Sequence, residues 1–340
     1  MKSMVLEKFG SPLVLRRGDM PKPGPDEAIL SVGACGVCQT DLKILQGKHP
    51  AARKLPLVPG HEVAGEVVQV GSDADRSAIG RHAVVYSYQV CGTCEFCRQG
   101  RENLCVNIKG QVGMSRDGGY AEFIKVPFNS LLFIPERIPF EKAAIVTDAV
   151  ATPYHALVSK AKIKEGDIVL VMGAGGLGLN AVQLARLMGA RVVAVDIRDD
   201  ALERAKEFGA QWIVDAKKEG LVKGLKRLTG GGVDTVLDLT GDAKMQSMGL
   251  EILKRAGRFV MVGYNPSEPW PVPPIQVVAN EIEIYGSRWC GKNELKECIE
   301  LVTESKIAPF VGEIHPLEEA NSVLERLKKG EILGRAVLVP

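Results

Sequence analysis

Between Ile168 and Asp196 the chain runs as a strand, a glycine-rich turn, a helix and a second strand, and this order constrains the fold more than any other stretch. The apolar run Ile168–Met172 is too short for a helix and leads into Gly173-Ala174-Gly175-Gly176-Leu177-Gly178. Leu177, Ala181, Leu184, Ala185 and Met188 then recur at helical spacing, Gly189 stops the helix, and a second apolar run ends on Asp196. Glycines at 173, 175 and 178 let the backbone turn sharply, so that N–H groups at a helix start can face a phosphate. An acid about twenty residues further on stands where it can accept hydrogen bonds from a ribose. The pattern therefore predicts a dinucleotide turn in which Gly173, Gly175, Gly176, Leu177 and Gly178 meet the pyrophosphate. Asp196 would repel a 2′-phosphate, which favours NAD over NADP, while Arg198 beside it pulls the other way.

The flanking sequence extends this reading. Past Ile168, strands are expected near 168–172, 191–195, 212–214, 233–239, 258–262 and 282–286, with helices between most of them. That alternation is what a six-stranded doubly wound parallel sheet requires. Before Phe140 the texture differs: short β-rich runs at 28–32, 63–70 and 83–86 lie between Pro and Gly clusters such as Pro21–Pro25. They predict an irregular β-barrel or sandwich. Beyond Gly286 the pattern gives helices near 295–305 and 317–327 and a last strand at 336–339. The mixed apolar and basic stretch 222–226 is expected to be a solvated helix face.

Composition narrows the function classes. In 340 residues the net charge is +2 with no long basic or acidic block, which gives no sign of nucleic-acid or membrane partners. The start has no apolar signal region and no window approaches a membrane span, so a cytoplasmic location is expected. Eight cysteines in such a context point to thiolate ligands and not to disulfides. Four of them, Cys91-x2-Cys94-x2-Cys97-x7-Cys105, fall on one compact loop. Four soft anions match a closed, structural tetrahedral zinc site, with an iron–sulfur cluster or unliganded thiols as the alternatives. Cys38 and His61, the latter followed by Glu62, are further candidates. A site with three protein ligands and an open position would act as a Lewis acid.

Taken together these motifs resemble a known family. Cys38-x-Thr40-Asp41, Gly60-His61-Glu62-x2-Gly65-x5-Gly71, the four-cysteine loop with Gly100 and Asn103, and the glycine turn are similar, in order and spacing, to a zinc-dependent alcohol dehydrogenase of the medium-chain dehydrogenase/reductase superfamily. Thr152-x-Tyr154, Asp238-Leu-Thr-Gly241, Gly257-x5-Gly263 and Gly334-Arg335 extend the likeness over almost the whole chain. The resemblance implies an α/β protein with a GroES-like β-rich catalytic domain built from both termini, 1–150 with 287–340, and an inserted six-stranded Rossmann domain, 151–286. It implies two zinc ions per chain, a catalytic one on Cys38, His61 and Asp148 and a structural one on Cys91, Cys94, Cys97 and Cys105. Thr40 would stand beside the alcohol, Thr152 would touch the nicotinamide, and Arg335 would face the pyrophosphate.

Three departures from the family's common form matter. Asp148 stands where a cysteine ligand is usual; a carboxylate can bind zinc, and one histidine with two anions keeps the site neutral. Glu62 would either replace it in the metal's shell or steady the site from behind. Gln39 stands where many relatives carry a basic residue near the pyrophosphate. Lys43 stands where a relay histidine is common, so Lys43, His49 or water would take the last proton.

The implied reaction is reversible hydride transfer between a small-molecule alcohol and NAD, giving a ketone or aldehyde. Tyr86, Ser87, Tyr88, Leu104 and Trp289 are candidates either for pocket walls or for core; as walls they would suit a medium-sized or cyclic secondary alcohol. An alicyclic hydroxyacyl-CoA, with Arg53 and Lys54 on its phosphates, or a polyol or amino alcohol, are the alternatives. A zinc-free reductase on this scaffold would lack Cys38 and the His61-Glu62 pair. The resemblance implies a homodimer or homotetramer paired along the sheet edge expected at Glu281–Tyr285, and an apolar edge strand is unsafe unless covered.

Overall fold

Apolar strands that run without alternation can only be buried on both faces, and Ile168–Met172 shows this directly, every residue being at most 1% exposed. The computed structural model describes residues 1–265 and 268–340, and the chain divides into two units. One comprises Ala149–Cys290 with Ser305–Ala308; the other comprises Met1–Asp148, Gly291–Glu304 and Pro309–Pro340.

In the first of these, six parallel strands lie in the spatial order Trp212–Asp215, Arg191–Asp196, Ile168–Met172, Val233–Asp238, Leu253–Met261 and Glu283–Gly286. The chain thus starts in the middle of the sheet, works outward to one edge, then crosses back to build the other half. The crossing point lies beside the carboxyl end of Ile168–Met172, where the glycine turn begins, and this is where such sheets leave a crevice for a ligand. One boundary differs from the hydrophobic pattern. The fifth strand starts at Leu253, ahead of the apolar run at 258, because its pairing with Val233–Asp238 shifts register between Val233 and Thr235. Ala256, at φ +57°, lies within that irregular stretch, which carries the polar residues Lys254 and Arg255. The 222–226 stretch lies in the helix Leu221–Thr229.

The other unit is organised on the eleven-residue strand Glu27–Val37. Glu62–Val70 pairs along most of its length. On its other side Phe123–Pro127 pairs with Glu27–Ser31, and Arg335–Val339 with Cys35–Val37. His82–Val85, Leu131–Phe133 and Val311–Pro316 complete the sheet. Met4, Leu6, Leu30, Val63, Tyr120, Ile124 and Leu338 are among the side chains of its buried core. Three consequences for the site follow from pairing alone. Cys38 is the first residue past the spine strand, Glu62 sits opposite Gly36, and Arg335 opens the strand whose next residue, Ala336, pairs with Val37. Residues from three distant segments therefore meet at one end of one sheet. Among the described residues no helix is long and apolar enough to cross a membrane.

Candidate functional site

At that sheet end Cys38, His61, Glu62 and Asp148 each offer a ligand atom, and the four atoms lie within 4.8 Å of one another. Cys38 caps the helix Gln39–Leu45, its sulfur accepting the Thr40 N–H at 3.4 Å. His61 and Glu62 sit at the start of the strand Glu62–Val70, and Asp148 lies in the wide helical turn Val146–Val150. Such wide turns recur at functional sites because they re-aim side chains that a regular helix would stack. The Asp148 carboxylate is 3.6 Å from the Cys38 sulfur and 3.8 Å from His61 Nε2.

Behind these groups lies Asp41, wholly buried, which sequence spacing brought forward only as the fourth residue of the Cys38 motif. Its Oδ2 accepts the Cys38 N–H at 2.8 Å and the Tyr120 phenol at 3.0 Å, and its Oδ1 lies 3.3 Å from His61 Nδ1. With Nδ1 turned to Asp41, His61 presents Nε2 on the Asp148 side as the ring nitrogen that could bind a metal ion. The sequence hint for Asp41 was its place three residues after a helix cap; Tyr120, 79 residues away, offered none.

The electrostatics call for a cation. Burial by itself would disfavour the His61 imidazolium, yet the Asp41 charge and hydrogen bonds with Asp148, Asp41 and Cys38 hold its pKa well above 6.5. Burial likewise pushes Glu62 well above the usual carboxylate range against the opposing pull of Arg335. Arg335 Nη2 lies 2.6 Å from Glu62 Oε1 and 3.0 Å from Asp148 Oδ2. The Glu62 contact is an ion pair without hydrogen-bond alignment, so neither carboxylate oxygen of this fully buried residue has a hydrogen-bond partner. Gly36 makes room for it: a Cβ there would sit 2.0 Å from Glu62 Oε2. A thiol, an imidazole lone pair and two carboxylates in a buried pocket form a donor set that fits a borderline-soft divalent ion such as zinc.

The four-cysteine loop is a second such set. Its sulfurs lie 3.5 Å (Cys94–Cys97), 3.6 Å (Cys91–Cys105) and 3.9 Å (Cys91–Cys97) apart. The edge of a Zn–S tetrahedron is ~3.8 Å, whereas a disulfide is ~2.05 Å. Backbone N–H groups of Thr93 and Cys94 bring the Cys91 thiol down to about 6, while burial and the neighbouring sulfurs push Cys97 up to about 12. Full deprotonation thus needs a cation among them.

In the six-stranded unit the glycine turn fits a dinucleotide. A Cβ at Gly178 would lie 1.8 Å from the Gly173 carbonyl oxygen, so the helix Gly176–Leu187 packs directly on the turn, and Gly173 itself sits at φ +93°. Gly175 differs: its φ is −84° and a Cβ there would meet nothing within 4 Å. Neither backbone strain nor packing within the chain requires a glycine there, whereas close approach of a pyrophosphate would. Asp196 accepts the Ala174 and Arg198 N–H groups at 2.6 and 3.0 Å, one on each oxygen, and each oxygen keeps a lone pair. Arg198 is turned to Asp200, at 2.6 Å. A cavity of about 390 Å³ opens at the carboxyl ends of the last three strands, lined among others by Gly241, Gln246, Val262, Tyr264 and Ser287.

Comparison with known proteins agrees with this geometry. The alcohol dehydrogenase GroES-like domain family matches residues 24–136, and the zinc-binding dehydrogenase family matches 176–304. An alcohol dehydrogenase of Geobacillus stearothermophilus is 38% identical over 99% of both chains. The chain is a zinc-dependent alcohol dehydrogenase of the medium-chain dehydrogenase/reductase superfamily. An NAD-dependent alcohol dehydrogenase of Sulfurisphaera tokodaii is 34% identical over the whole of both chains. The solved acetophenone reductase of Geotrichum candidum, in complex with NAD, superposes with a TM-score of 0.91 at 32% identity, covering 100% of this chain and 97% of that one. As a member of this family the protein is an enzyme, an oxidoreductase of small alcohols and carbonyl compounds that works with zinc and a nicotinamide dinucleotide.

Other expected site residues of this dehydrogenase are placed differently from one another. Thr40 is half-buried in the first turn after Cys38, and Thr152 is buried in the helix Ala151–His155. Gln39 donates to the Leu327 carbonyl, tying it to the helix Ala320–Lys328. Lys43 is half-buried, and desolvation lowers its ammonium pKa against the pull of Cys38. Tyr86, Ser87, Tyr88 and Trp289 are all buried, Tyr86 and Tyr88 edge-on at 6.5 Å, so of the expected wall residues only Leu104 keeps partial exposure.

Proposed function

We propose that this dehydrogenase oxidises secondary alcohols to ketones with NAD, and reduces the ketones in reverse, at the pocket formed by Cys38, His61, Asp148 and Glu62. The observation that carries the reading is the convergence of these four donors, one of them a buried carboxylate with no hydrogen-bond partner among the described residues. Cys38, His61 and Asp148 would hold the catalytic zinc, and Cys91, Cys94, Cys97 and Cys105 the structural one. Bound there, zinc would supply a Lewis acid that makes an alcohol hydroxyl far more acidic. NAD would supply the hydride acceptor, seated on Gly173–Gly178 with its ribose on Asp196.

The chain's own residues do the rest. Cys38 and Asp148 contribute two negative charges and His61 none, so a divalent ion and these three ligands together are neutral. Arg335 balances Glu62, which would otherwise be an unpaired buried charge, and so keeps it in reserve behind the ligands. Thr40, two residues from Cys38, would take the hydroxyl proton outward, and Thr152 would orient the nicotinamide. The preference for NAD over NADP is supported by Asp196 at the ribose position and by Arg198 being occupied with Asp200.

The ketone assignment is supported by the Geotrichum relative, an acetophenone reductase. Exposed Arg53 and Lys54 give no independent support to a thioester substrate. Residues 1–150 with 287–340 would act as the catalytic domain and 151–286 as the dinucleotide domain. A homodimer joined along Glu283–Gly286 is supported by that strand's place at a sheet edge and by Ile275 and Val278 on the neighbouring helix, 75% and 74% exposed. A cytoplasmic location is in keeping with eight cysteines, all free.

Metal analysis and nicotinamide absorbance test the reading together. Native protein should hold two zinc ions and turn over secondary alcohols faster than primary ones. Cys38→Ser should keep one ion and lose turnover. Full turnover in a verified one-zinc Cys38→Ser protein would overturn the assignment.

A further inference from the structure

We propose that Tyr120 is a positioning residue for His61, and that its phenol, acting through Asp41, sets how tightly the buried donor group holds its metal ion. The proposal rests on the reading of Cys38, His61 and Asp148 as ligands. A carboxylate as deeply buried as Asp41 needs hydrogen-bond donors, and three reach it. The Cys38 N–H comes from its own helix turn and fixes Oδ2 by one bond, about which the carboxylate plane can still rotate. The Tyr120 O–H is a second donor to that same oxygen and comes from 79 residues away. With Oδ2 held twice, the plane is set and Oδ1 is turned to His61 Nδ1. Tyr120 is 0% exposed, so no bulk water competes for the bond.

The same residue grips the approach to His61 by its backbone. Gly118, Gly119 and Tyr120 donate to the carbonyls of Val58, Gly60 and Pro59 at 2.7, 2.9 and 3.0 Å. The Tyr120 ring lies against the turn so closely that a Cβ on Gly60, at φ +94°, would meet its Cδ1 at 2.4 Å. Tyr120 therefore restrains His61 twice, at the main chain before it and at the ring nitrogen away from the ligands. Groups that orient a metal-bound histidine in this way typically change metal affinity by about 10- to 100-fold when removed.

Tyr120→Phe keeps the ring and removes the donor. After dialysis of the zinc-loaded enzyme against a graded chelator, it should lose the buried ion at about 10- to 100-fold lower chelator strength than native protein, while keeping the ion on the four cysteines. Replacing Tyr120 by p-aminophenylalanine, which restores a donor on the same ring, should bring affinity back to within about threefold. Tyr120→Phe added to Asp41→Asn should have no further effect. An unchanged buried-site affinity in Tyr120→Phe, an equal loss at both sites, or failure of the amino ring to rescue would each overturn the proposal. Should Tyr120→Phe not fold, Asp41→Asn tests the same chain, and unchanged zinc affinity there overturns it too. Native protein that binds only one zinc would overturn the ligand reading itself; two ions with an indifferent Tyr120→Phe would overturn this proposal alone.

Discussion

The two candidate metal sites are built in opposite ways. The four-cysteine site is written within fifteen consecutive residues, Cys91 to Cys105, and three of its thiols are partly open to solvent. The other draws Cys38, His61, Glu62, Asp148 and Arg335 from one end of a sheet whose strands are far apart in sequence, and nearly every polar group in it is buried. A local site needs only a loop of the right length, whereas an assembled site needs the fold first. In return the assembled site can surround its ion with further groups, Asp41, Tyr120 and Arg335, that a short loop has no room to supply.

The largest effect expected on this contrast is at the assembled site. His61→Ala should remove one of two zinc ions and lower kcat/KM by roughly 10³-fold or more, with little change in far-UV circular dichroism. Cys94→Ser should do the reverse. It should cost the other ion and lower the apparent Tm by roughly 5–10 °C, leaving activity at low temperature largely intact. Near-equal activity losses in the two variants would break the contrast. The glycine turn, also written locally, sharpens it. Gly178→Ala forces a Cβ to within 1.8 Å of the Gly173 oxygen and should destabilise by about 2–3 kcal/mol in chemical denaturation. Gly175→Ala, with open space around its Cβ, should leave stability unchanged yet weaken NAD binding about tenfold or more by calorimetry.

The smallest effect concerns His315, the surface counterpart of His61. It lies between Glu313 and Glu319 at 2.9 and 2.8 Å, and these bonds, the Glu313 one foremost, raise its pKa above 6.5 against the opposing effect of burial. A raised histidine pKa stabilises the folded state fully below the unfolded value and loses that effect as pH climbs through the folded value. His315→Gln should therefore cost up to about 1 kcal/mol near pH 6 and almost nothing near pH 9. A cost that grows with pH would contradict this assignment.

The contrast also explains what was legible in the sequence. The six-stranded sheet was legible because strands buried on both faces leave unbroken apolar runs, as at Ile168–Met172. The start of the strand at Leu253 was not, because a register shift and the positive φ of Ala256 carry polar residues into it. The four cysteines announce themselves by spacing. Cys38 and His61 stand out singly as candidate ligands, but their grouping with Asp148 comes only through resemblance, since nothing periodic links residues 38, 61 and 148. Asp41 entered only as a member of the Cys38 motif, with no role attached, and Tyr120 was beyond reach of either signal, because a hydrogen bond spanning 79 residues leaves no pattern in the chain. Tyr86, Tyr88 and Trp289, all buried, show a converse ambiguity: an aromatic beside a strand end looks the same in sequence whether it lines a cleft or fills a core.

Arg335 lies five residues from the carboxyl end of the chain and still closes the charge balance around Glu62 and Asp148. On a ribosome the four thiols emerge early and can trap an ion while synthesis continues. The other pocket lacks the counter-charge for Glu62 until Arg335 has been made, long after the four-cysteine loop.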